Sequence, residues 1–167
     1  MPPSDDPDDW PRITDLSGIS EENIKYRNTE FLNADGHPYE VGWDYSRQEL
    51  RRKAWNARNG DLRKLMRRFP TDVPLRRQCA HWVHGLIGVH LFPDANHRTA
   101  VATLRQLLSQ NNISYEEWDQ DALSETREES HDVRQQVNVT MACPYQRDAL
   151  HDLWYEFFEA QLYVTDS

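Results

Sequence analysis

The chain has 167 residues, 38% of them apolar and 28% charged, with a formal net charge of −9. That length supports one domain with a real core and leaves little room for a second. No run approaches the roughly 18 apolar residues of a membrane span, and the two cysteines, Cys79 and Cys143, have neither metal spacing nor the numbers for a disulfide framework.

The chain opens on MPPSDDPDDWP, which is acidic and proline-rich, unlike a signal or transit peptide. A cytoplasmic protein is expected. Residues 1–12 should be a disordered acidic tail, because prolines and aspartates bury too little surface to order themselves, and residues 13–167 should form the single domain. A helix is predicted from about Ser20 to Leu32, with Ser20 as cap and Ile24 and Phe31 inward. The stretch Asn33–Trp43 carries the turn signals Asp-Gly and His-Pro, then alternating Tyr39, Val41 and Trp43. This spacing predicts a short β-hairpin flap. Ser46 and Glu49 form a capping box for a helix from Arg47 to Asn59, which Gly60 should end. Asp61 should cap a short helix to Phe69, stopped by Pro70.

From Arg47 to Arg77 there are eleven Lys or Arg residues against Glu49, Asp61 and Asp72. No aromatic–basic platform interleaves them, so a solvated face is expected and nucleic acid is not expected as a partner. Only three of the basic residues of the whole chain are lysines; many acids with few lysines would suit a high-salt cytoplasm. Pro74 fits the first turn of a longer helix, in which Leu75, Cys79, Val83, Leu86, Ile87 and His90 recur at helical spacing. The next helix should start near Asn96, bury Ala100, Val101, Leu104, Leu107 and Leu108, and end at Asn111–Asn112. A short extended piece, ISYEEW, then a loose acidic segment with one helix between Asp121 and Ser130 should follow. Pro144 should open the last helix, with Leu150, Leu153, Trp154, Phe157, Phe158 and Leu162 as its apolar stripe. The sum is an all-α helical bundle with one β-hairpin flap before its two central helices.

The junction of those central helices reads HLFPDANHRTA, His90 to Ala100. The first amides of a helix lack intrahelical partners, and the helix dipole adds partial positive charge. Such an end is suited to an anion, and the amides of Ala95, Asn96 and His97 would form the cradle. Arg98 adds a permanent charge with fork geometry. Asp94 is a hard oxygen ligand suited to Mg²⁺ shared with a polyphosphate. Asn96 can donate an amide hydrogen to a phosphate oxygen. His90, with an ordinary pKa of about 6.5, suits a general base near neutral pH. Phe92 would anchor the turn in the core. These parts suit transfer of a piece of a nucleotide to a hydroxyl. Plainer readings remain open: a core histidine at 90, a cap at Asp94, a structural ion pair at Arg98, and core or surface histidines at His81 and His84.

At these residues the sequence resembles the Fic/Doc family, whose signature is H-x-F-x-[DE]-[GA]-N-x-R. His90, Phe92, Asp94, Ala95, Asn96 and Arg98 match it, and the continuation RTA at 98–100 resembles the death-on-curing (Doc) branch. The resemblance implies a helical bundle with the motif between two central helices. It also implies an upstream flap that docks a target segment by strand-like pairing, here Gly36, His37, Pro38, Tyr39, Glu40 and Val41. It implies ATP or another nucleoside triphosphate with Mg²⁺, and a target protein with a Ser, Thr or Tyr hydroxyl. His90 would be the base, Asp94 the metal ligand, and Ala95, Asn96, His97 and Arg98 the phosphate binders.

AMP-transferring members have glycine after the asparagine and a second arginine three residues after the first; here those positions hold His97 and Val101. Bulk at His97 and the missing arginine tilt the expectation towards transfer of the γ-phosphate, with AMP transfer by the same site as the alternative. Doc-like members often depend on a separate antitoxin, which makes one a candidate partner. An internal inhibitory helix, [ST]-x-x-x-E-[GN], is approached at Glu22-Asn23, but Ser17 stands one residue too early, and one residue turns a helical side chain by about 100°. Two readings from other classes compete: a non-catalytic binding module on the same fold, and a metal-dependent hydrolase built from His84, His90, Asp94 and His97.

Overall fold

The computed structural model describes residues 5–33 and 46–165, and the predicted flap, Gly36 to Val41 included, lies outside the described residues. The architecture is all-α. Seven helices run in order among the described residues: α1 Glu21–Asn33, α2 Arg47–Trp55, α3 Asn59–Arg67, α4 Leu75–Val89, α5 Asn96–Gln110, α6 Gln120–Arg134 and α7 Ala149–Gln161. Isolated bridges Tyr115–Val164 and Thr140–Cys143 are the β pairing present there. No helix of the described residues is long and apolar enough to cross a membrane.

Helix α4 is the centre. It is buried from Gln78 through Gly88 and packs against both α5 and α7. Helix α6 closes over α7, and α1 lies on α5 and α2. The predicted apolar faces form the core: Leu75, Cys79, Val83, Leu86 and Ile87 of α4, Ala100, Val101, Leu104, Leu107 and Leu108 of α5, and Leu150, Trp154, Phe157 and Phe158 of α7 are all buried. Two glycines let neighbours approach α4 closely. A Cβ at Gly85 would lie 2.6 Å from the Tyr145 ring, and that ring is pinned because its hydroxyl donates to Leu65 O at 2.6 Å. Gly85→Ala is therefore expected to destabilise by about 1–2 kcal/mol, since overpacking outweighs the gain in helix propensity. Urea denaturation midpoints would show it; a stabilised variant would mean that Tyr145 moves aside freely.

Several boundaries differ from the sequence expectation. Helix α2 stops at Trp55, and Gly60 lies in the first turn of α3 rather than past a helix end. The break lets Leu62 and Leu65 turn into the core. Arg58, not Asp61, occupies the α3 cap position, and it makes no capping hydrogen bond there. Helix α7 begins at Ala149, capped by the Asp148 carboxylate accepting from His151 N at 3.0 Å; Pro144 precedes it while Tyr145 fills the gap beside α4. Helix α6 runs on to Arg134, past the predicted Ser130.

Within the stretch expected to be disordered, Pro7–Asp9 forms a 3-10 turn capped by Asp6. Trp10 is buried against Tyr163, with the Arg76 guanidinium over its ring at 4.9 Å. Buried Gln78 then clamps Ile13 through both backbone groups at 2.8 Å. The extended piece after α5 pairs with the end of the described chain through Glu116 N to Tyr163 O and Thr165 N to Ser114 O, both 2.9 Å.

Candidate active site

The six residues from His90 to Ala95 join α4 to α5, and both ends of the turn are left-handed. His90 has φ 52° and Ala95 φ 60°. His90 thus leaves the α4 face on which its spacing had placed it and is exposed. The left-handed region costs a residue with a Cβ roughly 1–2 kcal/mol, so the turn is strained at both hinges and must be held by other contacts. Phe92 provides one, buried at 1% exposure.

Asn96 provides two more. Its Oδ1 accepts from Phe92 N at 3.3 Å, and its Nδ2 donates to Phe92 O at 3.1 Å. This pair fixes which way the amide faces. The other Nδ2 hydrogen therefore points to His90 Nδ1, 3.3 Å away. With Nδ1 accepting, the neutral imidazole carries its proton on Nε2. Part of the ring reaches solvent, yet packing against the turn removes enough water to lower its pKa. The Arg134 charge lowers it further, while Asp94 opposes the shift.

The Asp94 carboxylate accepts from Ala95 N at 2.6 Å. Of the three amides expected to cradle a phosphate, Ala95 is thus engaged with Asp94. Asn96 and His97 open α5, where no intrahelical acceptor exists. From α1, buried Asn28 donates to Asp94 O at 2.8 Å and to Thr99 Oγ1 at 2.9 Å, tying the turn to a third helix. Sequence reading gave no hint of Asn28.

His97 does not stand in front of the turn. Its ring is buried, with Nε2 2.7 Å from Ser130 Oγ of α6, and it lies 4.2 Å from the His131 ring. Ser130 also accepts from Trp154 Nε1 at 3.0 Å. Burial first, then the charges of His131 and Arg127, push the His97 pKa down to about 3. The bulk of His97 therefore lies in the core against α6 and α7. Arg98 is half-buried, with its guanidinium 5.2 Å from the Phe31 ring centre.

Helix α6, the one helix expected in an otherwise loose acidic segment, supplies Arg127, His131 and Arg134 at helical spacing towards the motif. Arg134 Nε donates to Ile87 O at 3.2 Å, capping the last turn of α4 next to His90. The spacing of these three was the signal available in the sequence. The hydrolase grouping is not assembled: His84 Nε2 pairs with Asp148 Oδ2 at 3.0 Å and His97 with Ser130, and no group of three His, Cys, Asp or Glu side chains is placed to hold a metal among the described residues. Glu22, of the inhibitory-like motif, is exposed, and Asn23 beside it is used in a reciprocal cap with Ser20.

Comparison of the chain with protein-family models, curated proteins and solved structures finds no match.

Proposed function

We propose that this chain transfers part of a nucleoside triphosphate to a Ser, Thr or Tyr hydroxyl of a target protein, as Fic/Doc proteins do. The observation that carries the reading is the contact between the exposed His90 Nδ1 and the Asn96 amide at the open end of α5. In this state both Nδ2 hydrogens of Asn96 are engaged. A phosphate oxygen at the helix end competes for the one now on His90. When the phosphate draws that hydrogen away, the Nδ1 lone pair is released. It can then take the proton of an attacking hydroxyl as the new O–P bond forms and the bond from the γ-phosphorus to its bridging oxygen breaks, the nucleoside diphosphate leaving. Nucleotide binding and activation of the base are then one event.

Asp94 fits Mg²⁺, which commonly takes one or two carboxylates and otherwise phosphate and water. Bound there, the ion would neutralise charge on the phosphates. Arg134 and Arg127 of α6 add fixed positive charge along the same side. Transfer of the γ-phosphate, with a separate antitoxin as candidate partner, is the version we carry forward. It now rests on Val101, which leaves the position of the second arginine without charge, and not on His97.

Titration of the full chain with ATP and Mg²⁺ tests the reading. Micromolar binding is expected, weakened at least tenfold in Asp94→Asn and lost with chelation of the metal. ATP binding indifferent to both Asp94 and Mg²⁺ would remove the assigned metal role, and no binding at all would overturn the reading.

A further inference from the structure

The turn that carries the motif is held from two sides. Its His90 end is fixed by Asn96, by Phe92 in the core and by Arg134 on the last turn of α4. Its Asp94–Ala95 end is supported by α1 and α2 instead. Ala95 packs with Leu50 of α2 and Phe31 of α1 in a small apolar cluster, separate among the described residues from the main core. Lys25 of α1, itself buried, donates to Trp55 O at 2.9 Å and fastens the end of α2 to α1.

Asn28 is the polar link in that support. It is fully buried, at 0% exposure. Its Nδ2 donates one hydrogen to Asp94 O at 2.8 Å and the other to Thr99 Oγ1 at 2.9 Å. A carbonyl oxygen only accepts, so Asp94 O fixes which way the amide faces. On the other edge of the same peptide, Ala95 N donates to Asp94 Oδ1 at 2.6 Å. The peptide joining Asp94 to Ala95 is thus held at its oxygen and at its hydrogen, and the Asp94 carboxylate is held with it. Thr99 stands in the first turn of α5, so Asn28 also ties the turn to the helix that the turn opens. This support matters because left-handed Ala95, at φ 60°, stores strain next to the carboxylate.

We infer that Asn28 is a positioning residue for Asp94: it fixes the peptide from which that carboxylate projects, and with it the readiness of the carboxylate for Mg²⁺. The inference rests on the transfer reading, which makes Asp94 the metal ligand. Mg²⁺ demands near-ideal geometry of its ligands, and partners that orient a ligand commonly weigh about 10–100-fold on metal affinity. Asn28 touches neither nucleotide nor target in this account and acts through Asp94 alone.

The test is calorimetric titration of the full chain with ATP and Mg²⁺ together, run as a double-mutant cycle between positions 28 and 94. Asn28→Leu keeps the branched shape of the side chain and removes its donors. It is expected to weaken binding at least tenfold in the parent chain and less than twofold beside Asp94→Asn, because its effect passes through that carboxylate. A purely structural role would cost the same in both backgrounds. If Asn28→Leu does not fold, Thr99→Val removes one of the two acceptors of the amide. That variant should cost at least threefold, and the cost should vanish beside Asp94→Asn. Equal losses in both backgrounds, or none in either, would overturn the inference and leave the transfer reading standing. Failure of the parent chain to bind ATP with Mg²⁺ would overturn both.

Discussion

His90→Ala is expected to lower transfer at least a hundredfold while leaving ATP binding within about threefold. Loss of a positioned general base commonly costs about 10²–10⁴ in rate. His90 is exposed and takes one hydrogen bond from Asn96, so its removal takes no packing from the core. The freed Asn96 hydrogen is then available to phosphate, and binding is expected to be preserved. The pH profile follows from the same environment. The base must be neutral, and burial with the Arg134 charge lowers its pKa. The acid limb of the rate should therefore lie below the ordinary histidine value of about 6.5. Arg134→Gln removes one of those causes and should move the limb upward. A rate in His90→Ala equal to that of the parent chain would end the base assignment.

Acid should unfold this domain earlier than its many carboxylates alone would suggest. His81 and His97 are buried, and burial pushes both pKa values down to about 3, with His151 and His131 as the next causes. Each is neutral in the fold and takes up a proton on unfolding. Between pH 6.5 and 3 the unfolded chain thus holds up to two more protons than the folded one, and stability falls as pH falls through that window. The slope approaches about 2.7 kcal/mol per pH unit for the pair. A domain of ordinary stability, about 5–15 kcal/mol, would lose most of it within a few units. Urea midpoints measured from pH 7 to pH 4 should decline steeply, and His97→Phe should roughly halve the decline. A flat profile over that range would mean that both rings ionise in place.

Ala95 gives a smaller and opposite effect. At φ 60° its Cβ opposes the left-handed backbone, so Ala95→Gly should stabilise by about 0.5 kcal/mol, the relief of strain being offset partly by a freer unfolded chain. A lower melting temperature in that variant would contradict it.

Much of the fold was legible because one signal dominates it. The apolar faces of α4, α5 and α7 repeat at helical spacing, and the helix ends at Val89 and Gln110 fall where the pattern stops. The errors lie where local signals compete with packing. Gly60 resembles a helix stop, but burial of Leu62 and Leu65 needs a new helix axis there. Pro144 resembles a helix start, but Tyr145 is needed in the core and Asp148 caps better. Trp10 shows that a proline- and aspartate-rich tail can be ordered by one large ring with a place to go. In the site, the motif marks where the backbone turns but not where each side chain points. His97 was readable after all: with Ala100, Val101 and Leu104 it continues the buried face of α5. Asn28 was not, because what brings it to the turn is tertiary packing, and the α6 residues showed only as a helical spacing with no sign of what they face.

The central claim is that His90 serves transfer from a nucleotide to a protein hydroxyl. The most direct measurement supplies purified chain, Mg²⁺ and cell lysate with ATP labelled in parallel at the α- and γ-phosphates, beside His90→Ala. The account predicts γ-label on a protein that depends on His90, with α-label absent. His90-dependent α-label would instead mean AMP transfer by the same site. Label that is identical with and without His90, or none from either nucleotide in a lysate containing the target, would contradict the account.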